Sequence, residues 1–292
     1  MYKKYLKYFC LICLCLLASF TYLKKDNKQN NKKNNLQTVI FKTSDNTLVP
    51  VAVNLLNKDE TENNYRAIIE TMKSSDYIPL GLYPIFNSKL ELNTLIIEPT
   101  QLTFDFNKHF KAKNNQEALD ICEALSYLFC KDKINKINVK IDGKKVNNLT
   151  NTSIPLSCIN NKLGINNFET SSINLYQTLP VTIYNTKIIG GKTYYIPTTT
   201  RIENTNQDIN QKVSLLLDNF DNSNSITINK AKLDNGLLSI YLSSLENIDY
   251  ITQQRLKKSF LTIEDVSNIK MYINNELTDE NVSSNIDNII QI

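Results

Sequence analysis

One order of short strands and amphipathic helices occurs twice between residues 37 and 282. A repeat of this length is a supersecondary unit used twice, each copy large enough to hold its own core. In the first copy, Thr38-Val-Ile-Phe-Lys and Thr47-Leu-Val-Pro-Val-Ala-Val read as two strands around the turn Ser44-Asp45-Asn46. A helix is predicted over 62–74, with Tyr65, Ile68, Ile69 and Met72 spaced by three and four. Leu95-Ile-Ile and Leu102-Thr-Phe-Asp-Phe follow as strands around Glu98-Pro99-Thr100. Alternation in the second places Leu102, Phe104 and Phe106 on one face. A second helix over 115–129 carries Ala118, Ile121, Cys122, Leu125, Leu128 and Phe129 as one stripe. The alternating strand Ile137 to Ile141 and the turn Asp142-Gly143 close the copy.

The second copy runs in the same order. Val181 to Tyr184, the hairpin signal Gly190-Gly191 and the strand from Tyr194 precede a helix over 207–219. The strand from Ile226, the turn Asp234-Asn235-Gly236 and the strand Leu237 to Leu242 come next. A helix over 250–260 has a weaker stripe, and Ile269 to Ile273 alternates before the turn Asn274-Asn275. Leu128 matches Phe260, Ile137 matches Ile269 and Ile141 matches Ile273 at one constant offset, while Ile69 and Met72 match Val213 and Leu216 at a larger one. The first copy therefore holds an insertion between Asp76 and Glu91. Each copy is expected as two helices packed on one face of a small antiparallel or mixed sheet, an α+β fold.

The N-terminus belongs to neither copy. Tyr8 to Leu23 carries no charge and is bracketed by Lys7 and Lys24. As a helix it would be about 24 Å long, against a hydrocarbon core of about 30 Å, a gap that flanking lysines and tyrosines close by snorkelling. A cleaved signal peptide and a lipoprotein signal are the rivals. No A-x-A site follows the apolar run, and Cys10, Cys13 and Cys15 lack the small-residue pattern of a lipobox. The segment is read as an uncleaved anchor, with Tyr8, Leu11, Leu14, Leu16, Leu17 and Leu23 in the membrane. The short basic tail would face inward and the folded part would be extracytoplasmic. The expected layout is an anchor over 1–24, a polar tether over 25–36, a first domain over 37–149, a linker over 150–177, a second domain over 178–282 and a tail over 283–292.

Charge separates the parts further. Residues 1–35 hold eight lysines against the single acid Asp26, in a chain with a formal charge of +4. The folded part is thus mildly acidic, the reverse of a nucleic-acid module, so no nucleic-acid partner is expected.

Little in the sequence points to catalysis. His109 is the only histidine and lies in a loop after a strand, without an orienting partner in view. No nucleophile elbow, H-E-x-x-H or P-loop sequence is present. Gly190-Gly191 reads as a hairpin turn rather than a phosphate cradle. Glu60, Glu62, Asp120 and Glu123 are expected at helix starts or on polar faces. Cys122 and Cys130 stand about 12 Å apart along one helix, too far for a disulfide, and read as small core residues. Cys158 falls in the expected linker, and three cysteines so spaced make no metal framework. No cofactor or metal is expected, and the chain reads as a non-enzyme. Arg201, between a strand and a helix, could bind a partner's carboxylate or close an internal pair, and the internal role is favoured.

These residues resemble a family. The stretch Leu48-Val-Pro, its counterpart Ile196-Pro with Thr200-Arg201, the helix after each, the strands Leu102-Thr-Phe-Asp-Phe and Gly236-Leu-Leu-Ser-Ile-Tyr-Leu, and the ending Val-Lys-Ile-Asp-Gly at Gly143 are similar to the GerMN domain. That domain occurs in tandem in spore germination and sporulation proteins. The resemblance spans about residues 37–282, carried by order and spacing. It departs where Val53-Asn54 stands in place of an arginine like Arg201, and in the missing lipobox. It implies an α+β fold similar to the ring-building motifs of sporulation and secretion rings. It also implies a non-enzymatic role between mother cell and forespore, with protein partners in a transenvelope complex. A module binding peptidoglycan at the cell surface is the alternative.

Overall fold

The hydrophobic pattern resolves into two similar modules in a computed structural model that describes residues 36–55, 61–131, 133–167, 178–203, 207–220, 225–278 and 288. The expected anchor (Tyr8, Leu11, Leu14, Leu16, Leu17, Leu23), most of the tether and most of the tail lie outside these residues. Among the described residues no helix is long and apolar enough to cross a membrane.

The first module opens with an antiparallel hairpin, β1 (Leu36–Lys42) and β2 (Leu48–Asn54), followed by α1 (Thr61–Thr71). The insertion forms a short 3-10 turn, Ile78–Leu80, and bridges to β1 through Lys42 and Tyr83. Then come β3 (Leu92–Ile97), β4 (Gln101–Phe106), α2 (Asn115–Phe129), β5 (Lys136–Ile141) and β6 (Lys144–Lys145). Their sheet has the order β3-β4-β5-β6, antiparallel except for the parallel pair β4 and β5. A parallel pair needs a crossover, and α2 supplies it. Asn114 caps α2, its side chain accepting from the Glu117 amide at 2.9 Å.

The second module repeats the order with β7 (Thr178–Ile189), β8 (Lys192–Glu203), α3 (Ile209–Asp218), β9 (Ile226–Asp234), β10 (Leu237–Ser244), α4 (Tyr250–Phe260), β11 (Asn268–Ile273) and β12 (Glu276–Leu277). Its sheet runs β12-β11-β10-β9, with β10 and β11 parallel. Asp208 begins α3 with a reciprocal capping box to Gln211, and Asp249 caps α4 through the Thr252 amide. The expected single sheet per copy is in fact a free hairpin plus a four-stranded mixed sheet.

Each module has its own core. Leu102, Phe104 and Phe106 are fully buried in the first, and Leu238, Ile240 and Leu242 take the matching places in the second. Two features blur the boundary. Ile189, Tyr194 and Ile196 of the β7–β8 hairpin belong to the first core. So do Leu149, Ile154, Leu156, Cys158, Ile159, Leu163 and Ile165. The described part of the expected linker, 150–167, is therefore a strap packed on the first module.

Candidate functional site at the seam between the modules

Strands β2 and β8 lie side by side but share no ladder and belong to separate two-stranded sheets. Pro50 and Pro197 lack the N–H groups that a ladder would use there. Two asparagine side chains, which carry a donor and an acceptor like a peptide group, fill the gap. Asn166 Oδ1 accepts from the Leu48 amide at 2.7 Å, and its Nδ2 donates to Leu48 O at 2.9 Å and Pro197 O at 2.8 Å. Asn288 Oδ1 accepts from the Tyr195 amide at 2.9 Å, and its Nδ2 donates to Tyr195 O at 2.9 Å and Pro50 O at 2.7 Å. Leu48 and Pro50 correspond to Tyr195 and Pro197 in the repeat. Each asparagine follows its own module, clasps that module's strand and reaches across to the other module's proline carbonyl.

Asn166 is held in turn from below. The Glu123 carboxylate accepts from the Asn166 amide at 2.7 Å and the Asn167 amide at 3.1 Å. Glu123 is 2% exposed. Burial pushes its pKa up to about 8, outweighing the two amide bonds that favour the anion. Asp120 is also buried, and burial raises its pKa too. The expectation that these two acids sit on a polar helix face is corrected: both are buried, Glu123 beneath the strap amides of Asn166 and Asn167 and Asp120 beside Gln116 and near Lys42 of β1.

The rest of the seam is equally polar. Arg201 Nε donates to Thr178 Oγ1 at 2.7 Å, Nη2 to Thr178 O at 3.2 Å, and Nη1 to Lys162 O at 2.7 Å and Leu163 O at 3.3 Å. It ties the hairpin to the strap. The Tyr127 and Tyr184 hydroxyls meet across the seam at 2.8 Å. Arg255, at the position in α4 that matches Glu123, donates to Tyr184 O at 2.9 Å and Asn185 Oδ1 at 2.7 Å, and lies over the Phe220 ring at 4.4 Å. Lys187 bonds Asp45 at 2.5 Å and Thr47 Oγ1 at 2.9 Å. At the hairpin tip, Gly190 has φ +55°, and a Cβ there would lie 2.7 Å from Leu80 O. The insertion of the first module thus seats the hairpin of the second, and only glycine permits the approach.

Beside the seam is a cleft of about 500 Å³, with Tyr127, Cys130, Lys131, Lys212, Leu261 and Glu264 in its walls. His109 is not among its lining residues; its amide donates to Asn107 Oδ1 in the turn after β4. Among the described residues no three His, Cys, Asp or Glu side chains gather as a metal site. Gly190-Gly191 forms the β7–β8 turn. Of the residues singled out in the sequence, Arg201 reaches the seam. Asn166 and Asn288 were missed and Glu123 was read only as an acid at a helix start or on a polar face; the positive φ of 51° at Asn166 leaves no sequence signal in a chain so rich in asparagine.

Comparison with known proteins agrees with this arrangement. No protein-family model matches the chain. The solved tandem GerMN domains of the sporulation protein GerM from Bacillus subtilis share its fold, with a TM-score of 0.68, 17% identity, and coverage of 82% of this chain and 91% of that one. The spore germination protein GerM of Bacillus subtilis (strain 168) is 26% identical over 216 residues, which is 67% of this chain and 58% of GerM. The chain is similar to GerM in sequence and shares the fold of GerM's tandem GerMN domains. The chain thus spans under two thirds of GerM's length. The hairpins β1–β2 and β7–β8 open the two modules, and β2 and β8 meet at the asparagine-bridged seam.

Proposed function

We propose that this chain serves sporulation or germination as a non-enzymatic, membrane-tethered envelope protein, with both GerMN domains extracytoplasmic. In this reading it supports assembly of a transenvelope complex between mother cell and forespore through protein partners. The observation that carries the reading is the likeness to GerM in sequence and in tandem architecture. The seam adds a physical argument. Arg201, Glu123, Asn166 and Asn288 are engaged in joining the domains, which suits a scaffold that presents two modules at a fixed spacing. The test is deletion of the gene in its spore-forming host. Heat-resistant, germinating spores should fall in number and return when the chain is restored. Unchanged sporulation and germination would overturn the reading.

One observation favours peptidoglycan contact as a second reading. On the sheet face of the second domain turned away from its helices, Tyr241 and Tyr272 stack at 4.6 Å. Strand register puts Lys230, Lys232 and Lys270 around them. Hydroxyls and cations together suit a polymer that bears sugars and carboxylates. Retention of the protein on purified sacculi, lost in Tyr241→Ala/Lys230→Ala, is the expected result, and equal recovery in the unbound fraction with and without sacculi would dismiss it.

A further inference from the structure

Cys122 and Cys158 come from distant parts of the sequence and meet inside the first core. Cys122 lies in the middle of α2, and Cys158 ends the 3-10 turn Leu156–Cys158 in the strap. They are 0% and 3% exposed. The strap runs along this face of α2. One helical turn beyond Cys122, Ser126 Oγ donates to Asn160 O at 2.6 Å. The neighbouring Glu123 receives the Asn166 and Asn167 amides. Both sides of Cys158 are pinned, since the Leu156 amide donates to Asn147 O at 2.7 Å and the Ile137 amide to Ile159 O at 2.9 Å. Within this frame both cysteines are free thiols in one core cluster, and the neighbouring Cys158 together with burial pushes the Cys122 thiol's pKa well up. Cys130, two turns further along α2, is instead near Ser126 and the cleft.

We propose that Cys122 and Cys158 are a covalent modification site, joined by an intramolecular disulfide that fastens the strap to α2 in the folded, oxidised protein. Two thiols lose their protons and give two electrons to an external disulfide, a protein carrier or a small one such as oxidised glutathione. One S–S bond forms in the chain, and the oxidant's S–S bond breaks to leave two thiols. Burial of both sulfurs places the exchange before the core closes and hides the product from reductants afterwards. The bond encloses the end of α2, β5 and β6, and it anchors the strap to α2 eight residues before the seam asparagine Asn166. The second domain has no such bond, because Gln254 stands at the position matching Cys122.

The test uses the full chain folded in a glutathione buffer with excess oxidised form, then unfolded in an alkylating agent and cut with trypsin and a glutamyl endopeptidase. Cleavage after Glu123 separates Cys122 from Cys130. The expected result is a peptide pair joined through Cys122 and Cys158, split by reductant, with Cys130 alkylated. Recovery of Cys122 and Cys158 both alkylated would overturn the proposal. The oxidised chain should also melt several degrees above the chain refolded in reductant. That difference should vanish in Cys158→Ser and persist in Cys130→Ser, and equal melting of the oxidised and reduced unmodified chain would overturn it. If Cys158→Ser does not fold, the peptide map of the unmodified chain still decides.

Discussion

Asn166 and Asn288 make the same three hydrogen bonds from opposite sides of the seam. Each side chain exchanges two bonds with one residue of its own domain, Leu48 or Tyr195, and gives one to the other domain's proline carbonyl. Exchanging the two domains maps the pattern onto itself. The repeat in sequence is thus also a repeat in contact.

Replacing either asparagine should loosen the seam. Each substitution by alanine leaves buried backbone groups unpaired, at about 1–3 kcal/mol per unsatisfied group. Asn166→Ala should cost more than Asn288→Ala, because Asn166 has a positive φ of 51°, a left-handed conformation that asparagine tolerates better than alanine. Urea unfolding of the two variants and the double variant checks this. An unchanged midpoint for Asn166→Ala would contradict it.

Glu123 makes stability depend on pH in an unusual direction. Its folded pKa of about 8 lies above the ordinary glutamate value of 4.5, because burial favours the neutral acid. The folded state therefore binds the proton more tightly than the unfolded chain does. This contribution is fully present below about 4.5, and is lost as pH rises through about 8. The thermal midpoint should fall between pH 5 and pH 9, and Glu123→Gln should flatten the slope. An identical slope in that variant would assign the effect elsewhere.

The two hairpin glycines separate backbone strain from a close approach. Both have positive φ, but a Cβ on Gly191 meets nothing within 4 Å, while one on Gly190 meets Leu80 O. Gly191→Ala should cost about 1 kcal/mol from conformation alone. Gly190→Ala should cost clearly more, since the hairpin must also lift from the insertion. Equal thermal shifts would remove the docking role of the 3-10 turn.

Arg201→Ala should act on stability. The guanidinium makes four hydrogen bonds within the chain, and charged hydrogen bonds contribute about 1.5–3 kcal/mol apiece at most. Arg201→Lys should recover only part of the loss, because a single ammonium cannot reach both Thr178 and the strap. A spore defect in a variant with unchanged melting would instead mark Arg201 as a partner contact.

How far the sequence could be read depended on whether burial followed a single periodic face. Helices over 115–129 and 250–260 were legible to the residue: a full apolar stripe marks the first and a weaker one the second, and a capping asparagine or aspartate stands before each. The glycine and asparagine turns were legible because Asp142-Gly143, Asn274-Asn275 and Gly190-Gly191 all need positive φ. The seam was not. Residues 150–167 have the composition of a linker, yet their scattered Leu, Ile and Cys join the first core, and the Asn166 and Asn167 amides meet the buried Glu123. The weak stripe of α4 has the same cause: it packs on its own core and under β7, so Arg255, Lys257 and Lys258 are buried as well. Lys258 lies 5.2 Å from the Tyr195 ring. Polar residues buried by a neighbouring domain leave no periodic trace.

The symmetry of the seam has a consequence for higher assembly. A self-complementary contact of this kind is saturated once formed, and here the chain supplies both halves. The valence left for growth into a larger array therefore resides in the strand edges away from the seam, which among the described residues are β1, β3, β6, β7, β9 and β12, and in the outward sheet faces. A polymer of this protein would add subunits at its flanks, with the joint between the two GerMN domains inert at its centre.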